Sequence, residues 1–226
     1  MMIATFLTMA ILASAARLQA QEQVSFPTSD GGLINADVYG KGDRAVVLAH
    51  GGRFNKESWG KQAKELAAAG FRVLALDFRG YGQSRGPGQK DPMGAPLQLD
   101  VLAAVRYLRE HGARSVSVVG ASMGGGAAAY AAIEAKPGEI DRLVLLAADV
   151  EGAPEKLKGR KLFILARDDL GPGDKPRLTK IRADYEKAPE PKEMVILEGS
   201  AHAQFLFETE QGEKLMREIL RFLTAP

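Results

Sequence analysis

Short apolar runs alternate with longer segments of helical periodicity from Gln23 almost to the C-terminus. The runs are rich in Val, Leu and Ile, whereas the longer segments are rich in Ala and Leu. Two parallel strands need a crossover connection between them, and that connection is usually a helix. The alternation therefore predicts an α/β fold, a three-layer α/β/α sandwich around a mostly parallel sheet.

Eight runs have the length and composition of β-strands. The first two, VSFPT and LINADVY, flank a turn at residues 29–32, which predicts an antiparallel strand pair at the N-terminal side of the sheet. The other six runs are AVVLAH, RVLALD, SVSVVG, LVLLAA, KLFILA and KEMVILE. We expect helices over residues of about 57–69, 96–111, 176–188 and 213–223, and one more from Met123 onward.

The connections between these elements are too short to hold a separate cap domain over the sheet. One long irregular stretch, GQSRGPGQKDPMGAP at residues 82–96, is rich in Gly and Pro, and we expect it to cover part of any pocket. Residues 21–226 are therefore predicted to form a single domain with an open site that loops alone shape.

The composition excludes several kinds of function. The 226 residues include 30 Lys and Arg against 28 Asp and Glu, a formal net charge of +2, and the charges form no block. We therefore expect no nucleic-acid partner. Because the chain has no cysteine, disulfides, a cysteine nucleophile and thiolate metal sites are excluded. The three histidines do not favour a metal centre built from several histidines. We expect neither a metal nor a cofactor.

Residues 1–20 have the pattern of a secretory signal peptide. The stretch MMIATFLTMAILASAA is apolar and uncharged, but it is shorter than the roughly 20 residues of a membrane-spanning helix, and Arg17 and the small residue Ala20 follow it. We expect cleavage near Ala15 or Ala20. The mature domain, residues 21–226, is then expected to be secreted or periplasmic, with no stable membrane span.

The segment GASMGGG, residues 120–126, contains Gly-x-Ser-x-Gly between a predicted strand and a predicted helix. So sharp a turn forces its central residue into a strained backbone conformation and exposes the side chain at the end of the strand. The helix that follows directs its N–H groups and its positive dipole end toward the same point. This context makes Ser122 the candidate nucleophile of a nucleophile elbow.

A serine hydroxyl needs a base and an orienting carboxylate, and both follow later strands in the expected order. His202 comes directly after the last strand, whereas His50 and His111 lie elsewhere and are not candidates for the base. The carboxylate is expected after KLFILA, where ARDD offers Asp168 and Asp169. Asp169 is favoured because a residue three positions past the strand should turn back toward the sheet. Asp168 and Asp149, which ends the preceding strand, remain alternatives.

Two N–H donors are required for the oxyanion of an acyl-transfer reaction. Met123 follows the nucleophile and supplies one. The segment HGGRF supplies the other, with Gly52 as the expected donor and Arg53 next. Arg53 and Phe54 are candidates for substrate binding. Further pocket walls are expected from Trp59, Tyr81, Met123, Phe205 and Phe207, although at least two of Trp59, Phe205 and Phe207 are expected in the core.

With these motifs in order, the chain resembles a serine hydrolase of the α/β-hydrolase superfamily over essentially all of residues 23–223. The motifs are HGG, DFRGYGQSRG, GASMGG, ARDD and GSAH. The compact, lidless size is similar to dienelactone-hydrolase-like proteins and small carboxylesterases. Two features depart from relatives: the family usually has glycine in place of Ala166, and dienelactone hydrolases use a cysteine nucleophile, which this chain lacks.

The motifs and the resemblance together imply hydrolysis of a small-molecule carboxylic ester through an acyl-enzyme intermediate with a Ser-Asp-His catalytic triad. Ser122 is then the nucleophile, His202 the base and Asp169 the orienting acid. Thioesterase, peptidase and perhydrolase activities use the same triad and remain alternatives. A non-catalytic binding protein on a hydrolase scaffold is a further alternative.

Overall fold

Eight strands join a single sheet in the computed structural model, which describes residues 21–226. The signal peptide predicted for residues 1–20 lies outside the described part of the chain. The strands are β1 (Glu22–Pro27), β2 (Leu33–Tyr39), β3 (Arg44–Ala49), β4 (Arg72–Leu76), β5 (Ser115–Ala121), β6 (Arg142–Leu146), β7 (Arg160–Ala166) and β8 (Lys192–Leu197). Their order across the sheet is β1-β2-β4-β3-β5-β6-β7-β8.

The sheet is antiparallel only at its N-terminal edge. β1 pairs with β2, and β2 pairs with β4, in antiparallel register, whereas all pairs from β4 to β8 are parallel. The predicted fold class, a mostly parallel eight-stranded sheet with an antiparallel N-terminal pair, is therefore confirmed. Because β3, β5, β7 and β8 run in the same direction, the loops that follow them meet at one edge of the sheet.

Five α-helices accompany the strands in the described part of the chain. They are α1 (Gly60–Ala68), α2 (Gln98–Glu110), α3 (Met123–Glu134), α4 (Arg177–Lys187) and α5 (Gly212–Thr224). α2 contacts α3 beside the central strands, and α1 and α5 together line a groove. Between residues 21 and 226, none of these helices has the length and apolar character that crossing a membrane requires.

The central strands are buried along nearly their whole length. Five of the six residues of β3 and six of the seven residues of β5 and of β7 are buried, in keeping with strands covered on both faces. This double burial explains why these segments are continuous apolar runs rather than alternating ones. It also gives the loops at their carboxyl ends a rigid base.

One predicted helix begins differently in the structure. Residues 56–59 form a 3₁₀ turn, and the α-helix begins at Gly60 rather than near Glu57. The side chain of Asn55 accepts a hydrogen bond of 3.2 Å from the N–H of Ser58, as an N-cap does. This cap starts the turn one residue earlier than the apolar periodicity indicates.

The buried guanidinium of Arg79 anchors the long loop at residues 82–96. Its Nε and Nη2 donate to Asp100 Oδ1 of α2 at 2.9 and 2.6 Å, and its Nη1 donates to Asp30 Oδ2 at 2.5 Å. Nη1 also donates to the carbonyl of Pro87 at 3.0 Å. Hydrogen bonding from Arg79 lowers the pKa of Asp30 to about 2. One cation thus joins the loop, α2 and the turn between β1 and β2.

Candidate active site

Ser122 lies in the sharp turn between β5 and α3, with φ 51° and ψ −119°. This left-handed region is costly for a residue with a Cβ, by about 1–3 kcal/mol, and such strain persists only where the surroundings enforce it. The N–H of Ser122 donates to the carbonyl of Leu146 at 2.9 Å, which ties the turn to β6. The hydroxyl is consequently presented at the carboxyl edge of the sheet.

Three glycines allow the turn to fit. A Cβ on Gly120 would lie 2.4 Å from the carbonyl oxygen of Gly124, and a Cβ on Gly124 would lie 2.4 Å from the carbonyl oxygen of Ala49. A Cβ on Gly125 would lie 2.3 Å from the Cβ of Ala148. Because no side chain fits at these points, the Gly-x-Ser-x-Gly spacing has a steric cause, and Gly125 belongs to the same requirement.

His202 lies between Ser122 and Asp169 and is hydrogen-bonded to both. The Oγ of Ser122 lies 2.8 Å from Nε2 of His202, and Nδ1 of His202 lies 2.7 Å from Oδ2 of Asp169. Because a carboxylate only accepts, Nδ1 must carry the ring proton, so Nε2 is the acceptor for the hydroxyl. Asp169 is 1% exposed. The three residues thus form one continuous hydrogen-bonded chain.

The two alternative carboxylates lie outside this chain. Asp168 is exposed, and its backbone N–H donates to the carbonyl of Gly199 at 2.9 Å. Asp149 Oδ1 lies 3.6 Å from Nη1 of Arg177. The Nε of Arg177 lies 3.6 Å from Oδ1 of Asp169, so this arginine stands between both carboxylates. No local sequence pattern indicates this position of Arg177.

Gly52 and Met123 lie side by side. A Cβ on Gly52 would lie 3.6 Å from Sδ of Met123, and Tyr81 Oη donates to the carbonyl of Gly52 at 3.0 Å. Met123 is the first residue of α3, where backbone N–H groups have no partner within the helix. The two residues that the sequence proposes as oxyanion donors are therefore neighbours in space.

His50 has a purely structural environment. It is fully buried; its Nδ1 lies 2.9 Å from the carbonyl oxygen of Gly51, and its Nε2 accepts from the N–H of Phe78 at 3.3 Å. Since Phe78 supplies a donor, Nε2 is unprotonated, and Nδ1 donates to Gly51. Burial lowers the pKa of His50 to about 4, which keeps the ring neutral. The ring thereby fixes the Gly51–Gly52 peptide.

Gln204 contributes a contact that no sequence motif indicated. Its Oε1 accepts from the N–H of Gly51 at 2.7 Å, and its Nε2 donates to Oγ of Ser58 at 2.9 Å. Ala203, between His202 and Gln204, has φ 50°. This reversal of the backbone lets His202 contact Ser122 while Gln204 reaches the loop of Gly51. The role of this buried glutamine can be recognised only once its hydrogen-bond partners are known.

The aromatic residues divide between core and surface. Trp59 is buried and packs edge-on against Phe207, with ring centroids 5.8 Å apart. Phe54 and Phe205 have ring centroids 4.9 Å apart and lie on the side of the site that carries His202. Arg53 is exposed and lies outside the cavity described next.

A cavity of about 660 Å³ opens beside Ser122 and Met123. Its further lining comes from the loop before α2, from one face of α3, from the segment after β6 and from the start of α4. These residues are Met93, Gly94, Ala95, Pro96, Leu97, Gln98, Gly126, Ala127, Tyr130, Ala147, Ala148, Asp149, Glu151, Pro172 and Arg177. The end of the Gly/Pro-rich loop therefore forms one wall of the cavity, as its composition predicted.

No cluster of three or more potential metal-ligating side chains occurs among the described residues. The carboxylate of Asp77, which lies close to His50, accepts a hydrogen bond from the backbone N–H of Lys56 at 2.8 Å. The side chains that hydrogen bonds join at the site are a hydroxyl, an imidazole and a carboxylate.

Comparison with known proteins agrees with this architecture. A family model described as alpha/beta hydrolase fold matches residues 44–169. A non-heme chloroperoxidase from Streptomyces lividans is 34% identical over 122 residues, which are 54% of this chain and 43% of the relative. The chain spans less than half the length of the curated relatives it matches.

Two solved structures are similar over almost the whole chain. An esterase of Pyrococcus furiosus superposes with a TM-score of 0.75 at 20% identity and covers 91% of this chain and 94% of its own. A dienelactone hydrolase of Anabaena variabilis superposes with a TM-score of 0.73 at 21% identity, covering 91% and 97%. At these identities the likeness concerns the fold alone. Since the family model matches more than half of the residues, from the third strand through the segment that contains Asp169, the chain belongs to the alpha/beta hydrolase fold family.

Proposed function

We propose that this protein is a serine hydrolase that cleaves carboxylic ester bonds through an acyl-enzyme intermediate. The observation that supports this most is the hydrogen-bonded chain from Ser122 through His202 to Asp169, at 2.8 and 2.7 Å. A serine hydroxyl is a weak nucleophile at neutral pH, and an adjacent imidazole that accepts its proton activates it. The strained backbone of Ser122 adds to the argument, because it directs the hydroxyl into an open site.

In the first half of the reaction, Ser122 Oγ attacks the carbonyl carbon of the ester while its proton moves to Nε2 of His202. The carbonyl oxygen becomes an oxyanion between the N–H groups of Gly52 and Met123. When the tetrahedral intermediate collapses, the bond to the alcohol oxygen breaks, and His202 returns the proton to the leaving alcohol. The acyl group remains on Ser122.

In the second half, water takes the place of the alcohol. His202 accepts a proton from the water, whose oxygen attacks the acyl carbon, and the same proton returns to Ser122 as the carboxylic acid leaves. Asp169 holds the imidazole in the Nδ1–H form throughout and stabilises the charged ring that forms in each half. No step requires a metal or a cofactor.

Hydrolysis of p-nitrophenyl acetate and butyrate by the purified protein tests this proposal, beside Ser122→Ala. We expect nitrophenol release that saturates with substrate and falls by at least about 10³-fold in the variant. Turnover that Ser122→Ala retains would contradict the role of the serine. A thioester and a p-nitroanilide in the same assay identify a thioesterase or a peptidase if either substrate is preferred.

We further propose that residues 1–20 direct export and are removed, so that the enzyme acts as a secreted or periplasmic protein. The apolar, uncharged composition of residues 1–16 and the small residue Ala20 after them support the proposal. N-terminal sequencing of the protein recovered from producing cells should begin between Ala16 and Gln21. Recovery of chains that begin at Met1 or Met2 would contradict it.

A further inference from the structure

The cavity beside Ser122 is much larger than an acetyl group requires. At about 660 Å³ it falls within the ~300–1,000 Å³ range of sites that bind small molecules. It begins at Ser122 and Met123 and continues along one face of α3, past Gly126 and Ala127 to Tyr130. The reacting serine is therefore continuous with a space that some part of the substrate can fill.

Gly126 differs from the three glycines that precede it. Cβ atoms at Gly120, Gly124 and Gly125 would all lie within 2.5 Å of neighbouring atoms, whereas a Cβ at Gly126 would meet nothing within 4 Å. Gly126 lies inside α3, where glycine costs about 0.5–1 kcal/mol relative to alanine. Packing therefore does not demand this glycine, and the fold bears a cost for it.

The chemistry of the proposed reaction decides which half of an ester enters the cavity. The alcohol oxygen must lie within hydrogen-bond distance of His202, which protonates it. Ser122 and Met123 line the cavity, but His202 is not among its lining residues. The alcohol therefore belongs on the side of His202, toward Phe54 and Phe205, and the acyl chain extends into the cavity.

The charged residues that line the cavity restrict which acyl chains it can bind. Only Asp149, Glu151 and Arg177 of the lining residues are charged. Arg177 already faces two carboxylates, since its nitrogens lie 3.6 Å from Asp149 and 3.6 Å from Asp169. A substrate carboxylate would thus meet more negative than positive charge, whereas an uncharged alkyl chain would contact Met93, Leu97 and Tyr130.

We propose that this cavity is the acyl-chain site for esters of uncharged, medium-length alkanoic acids, and that Gly126 is its specificity-determining residue. The acyl chain of the substrate occupies the open space above Gly126. This inference rests on the proposed function. It goes beyond that function by assigning the acyl group to the α3 side and by naming the residue that sets its length.

The test compares wild type, Gly126→Ala and Gly126→Leu on p-nitrophenyl acetate, butyrate, hexanoate and octanoate. Gly60→Leu is the matched control, because Gly60 is also helical, has open space around its Cβ position and lies outside the cavity. We expect wild type to favour the longer chains in kcat/KM. Gly126→Leu should lower the octanoate-to-acetate ratio by about tenfold or more, while Gly60→Leu leaves it unchanged.

An unchanged ratio in Gly126→Leu would overturn the inference, and so would an equal loss on acetate and octanoate, which would indicate damage near Ser122 rather than occlusion. If Gly126→Leu does not fold, Gly126→Ala, which adds one carbon where space exists, must still lower the ratio measurably. If wild type hydrolyses no ester at all, the proposed function itself has failed. If wild type hydrolyses esters but the octanoate-to-acetate ratio does not depend on residue 126, only the proposed acyl-chain site is refuted.

The charge of the chain provides a second readout. Wild type should hydrolyse the hexanoate ester at least about tenfold faster, in kcat/KM, than the matching half-ester of adipic acid, which carries a terminal carboxylate. Glu151→Gln should narrow that difference. Equal rates on the two esters in wild type would contradict the assignment of an uncharged chain.

Discussion

Gln204 Oε1 accepts a 2.7 Å hydrogen bond from the backbone N–H of Gly51, across 153 positions of sequence. The bond joins the loop that carries His202 to the loop that carries Gly52. The carbonyl of Gly51, on its other side, accepts from Nδ1 of His50 and from the N–H of Phe54, at 2.9 and 3.0 Å. The C=O of Gly51 and the N–H of Gly52 belong to one trans peptide and point in opposite directions, so the two contacts to this carbonyl fix the direction of the Gly52 N–H. The Gln204 bond holds the preceding peptide and thereby limits rotation about Gly51.

Replacing Gln204 should therefore impair turnover more than substrate binding. In Gln204→Met, which keeps the length of the side chain, we expect kcat to fall about tenfold and KM to change less than about twofold, because an oxyanion donor acts mainly in the transition state. Steady-state kinetics on p-nitrophenyl butyrate provide the measurement. Ser58→Ala removes the partner of Nε2 and the hydroxyl's bond to the carbonyl of Asn55, but it leaves the Gly51 contact in place and should stay near wild type. An equal loss in both variants would refute the role of the Gly51 contact.

The three candidate carboxylates should differ sharply in their effect on rate. Asp169→Asn should lower kcat by about 10³- to 10⁴-fold, because an amide at this position favours the wrong tautomer of His202. Asp168→Asn and Asp149→Asn should remain within about threefold of wild type, since neither side chain contacts the imidazole. Parallel kinetics of the three variants decide the assignment. If Asp149→Asn or Asp168→Asn shows the large loss instead, the acid has been misassigned.

Two glycines in the same helix should respond in opposite ways to alanine. Gly124→Ala places a Cβ 2.4 Å from the carbonyl oxygen of Ala49 and should cost about 3 kcal/mol or more of unfolding free energy. Gly126→Ala meets no atom within 4 Å and should stabilise the protein by about 0.5–1 kcal/mol. Urea unfolding of both variants measures the difference. Destabilisation of equal size in the two would show that the space above Gly126 is not open.

Stability should fall in mildly acidic solution because of His50. Its pKa is lowered by burial from 6.5 to about 4, so between these values the unfolded chain binds a proton that the folded protein does not. No unfolding free energy is lost on this account above pH 6.5; the loss grows as the pH falls and reaches about 3 kcal/mol by pH 4.

The matched variant is His50→Gln, which lacks the titrating ring. Between pH 7.5 and pH 4.5 wild type should lose about 2–3 kcal/mol more unfolding free energy than the variant, measured by urea unfolding at each pH. Asp77, 3.9 Å from Nε2 of His50, is present in both proteins, so its own titration largely cancels in the comparison. Identical losses would mean that His50 is protonated in the folded protein.

The parts of the fold that depend on local sequence were predictable. Continuous apolar runs such as AVVLAH indicated buried strands, since a strand covered on both faces has no polar side. The Gly-x-Ser-x-Gly motif around Ser122 is local, so Gly120 and Gly124 indicate the turn directly, although the atom that a Cβ on Gly124 would meet belongs to β3. Carboxyl ends of strands in a parallel sheet share one edge, so the sequence alone points to His202 and Asp169.

Features that depend on contacts between residues far apart in the sequence could not be predicted from it. The role of Gln204 arises from a bond to Gly51, and no local pattern distinguishes it from any glutamine in a loop. The position of Arg177 between Asp149 and Asp169 likewise depends on how α4 approaches β6 and β7. The run of glycines does contain a signal for the cavity, because neither the Gly-x-Ser-x-Gly motif nor packing requires a glycine at position 126.

We expect Ser122 to carry the acyl group during turnover. Intact-protein mass spectrometry after acid quench of a reaction with p-nitrophenyl butyrate, followed by peptide mapping, should find one butyryl group on the peptide that contains Ser122. His202→Ala, treated with a fluorophosphonate, should label far more slowly than wild type at the same residue. Hydrolysis with no acyl-enzyme at Ser122 and no labelling by the fluorophosphonate, or an acyl group on another residue, would contradict the proposed mechanism.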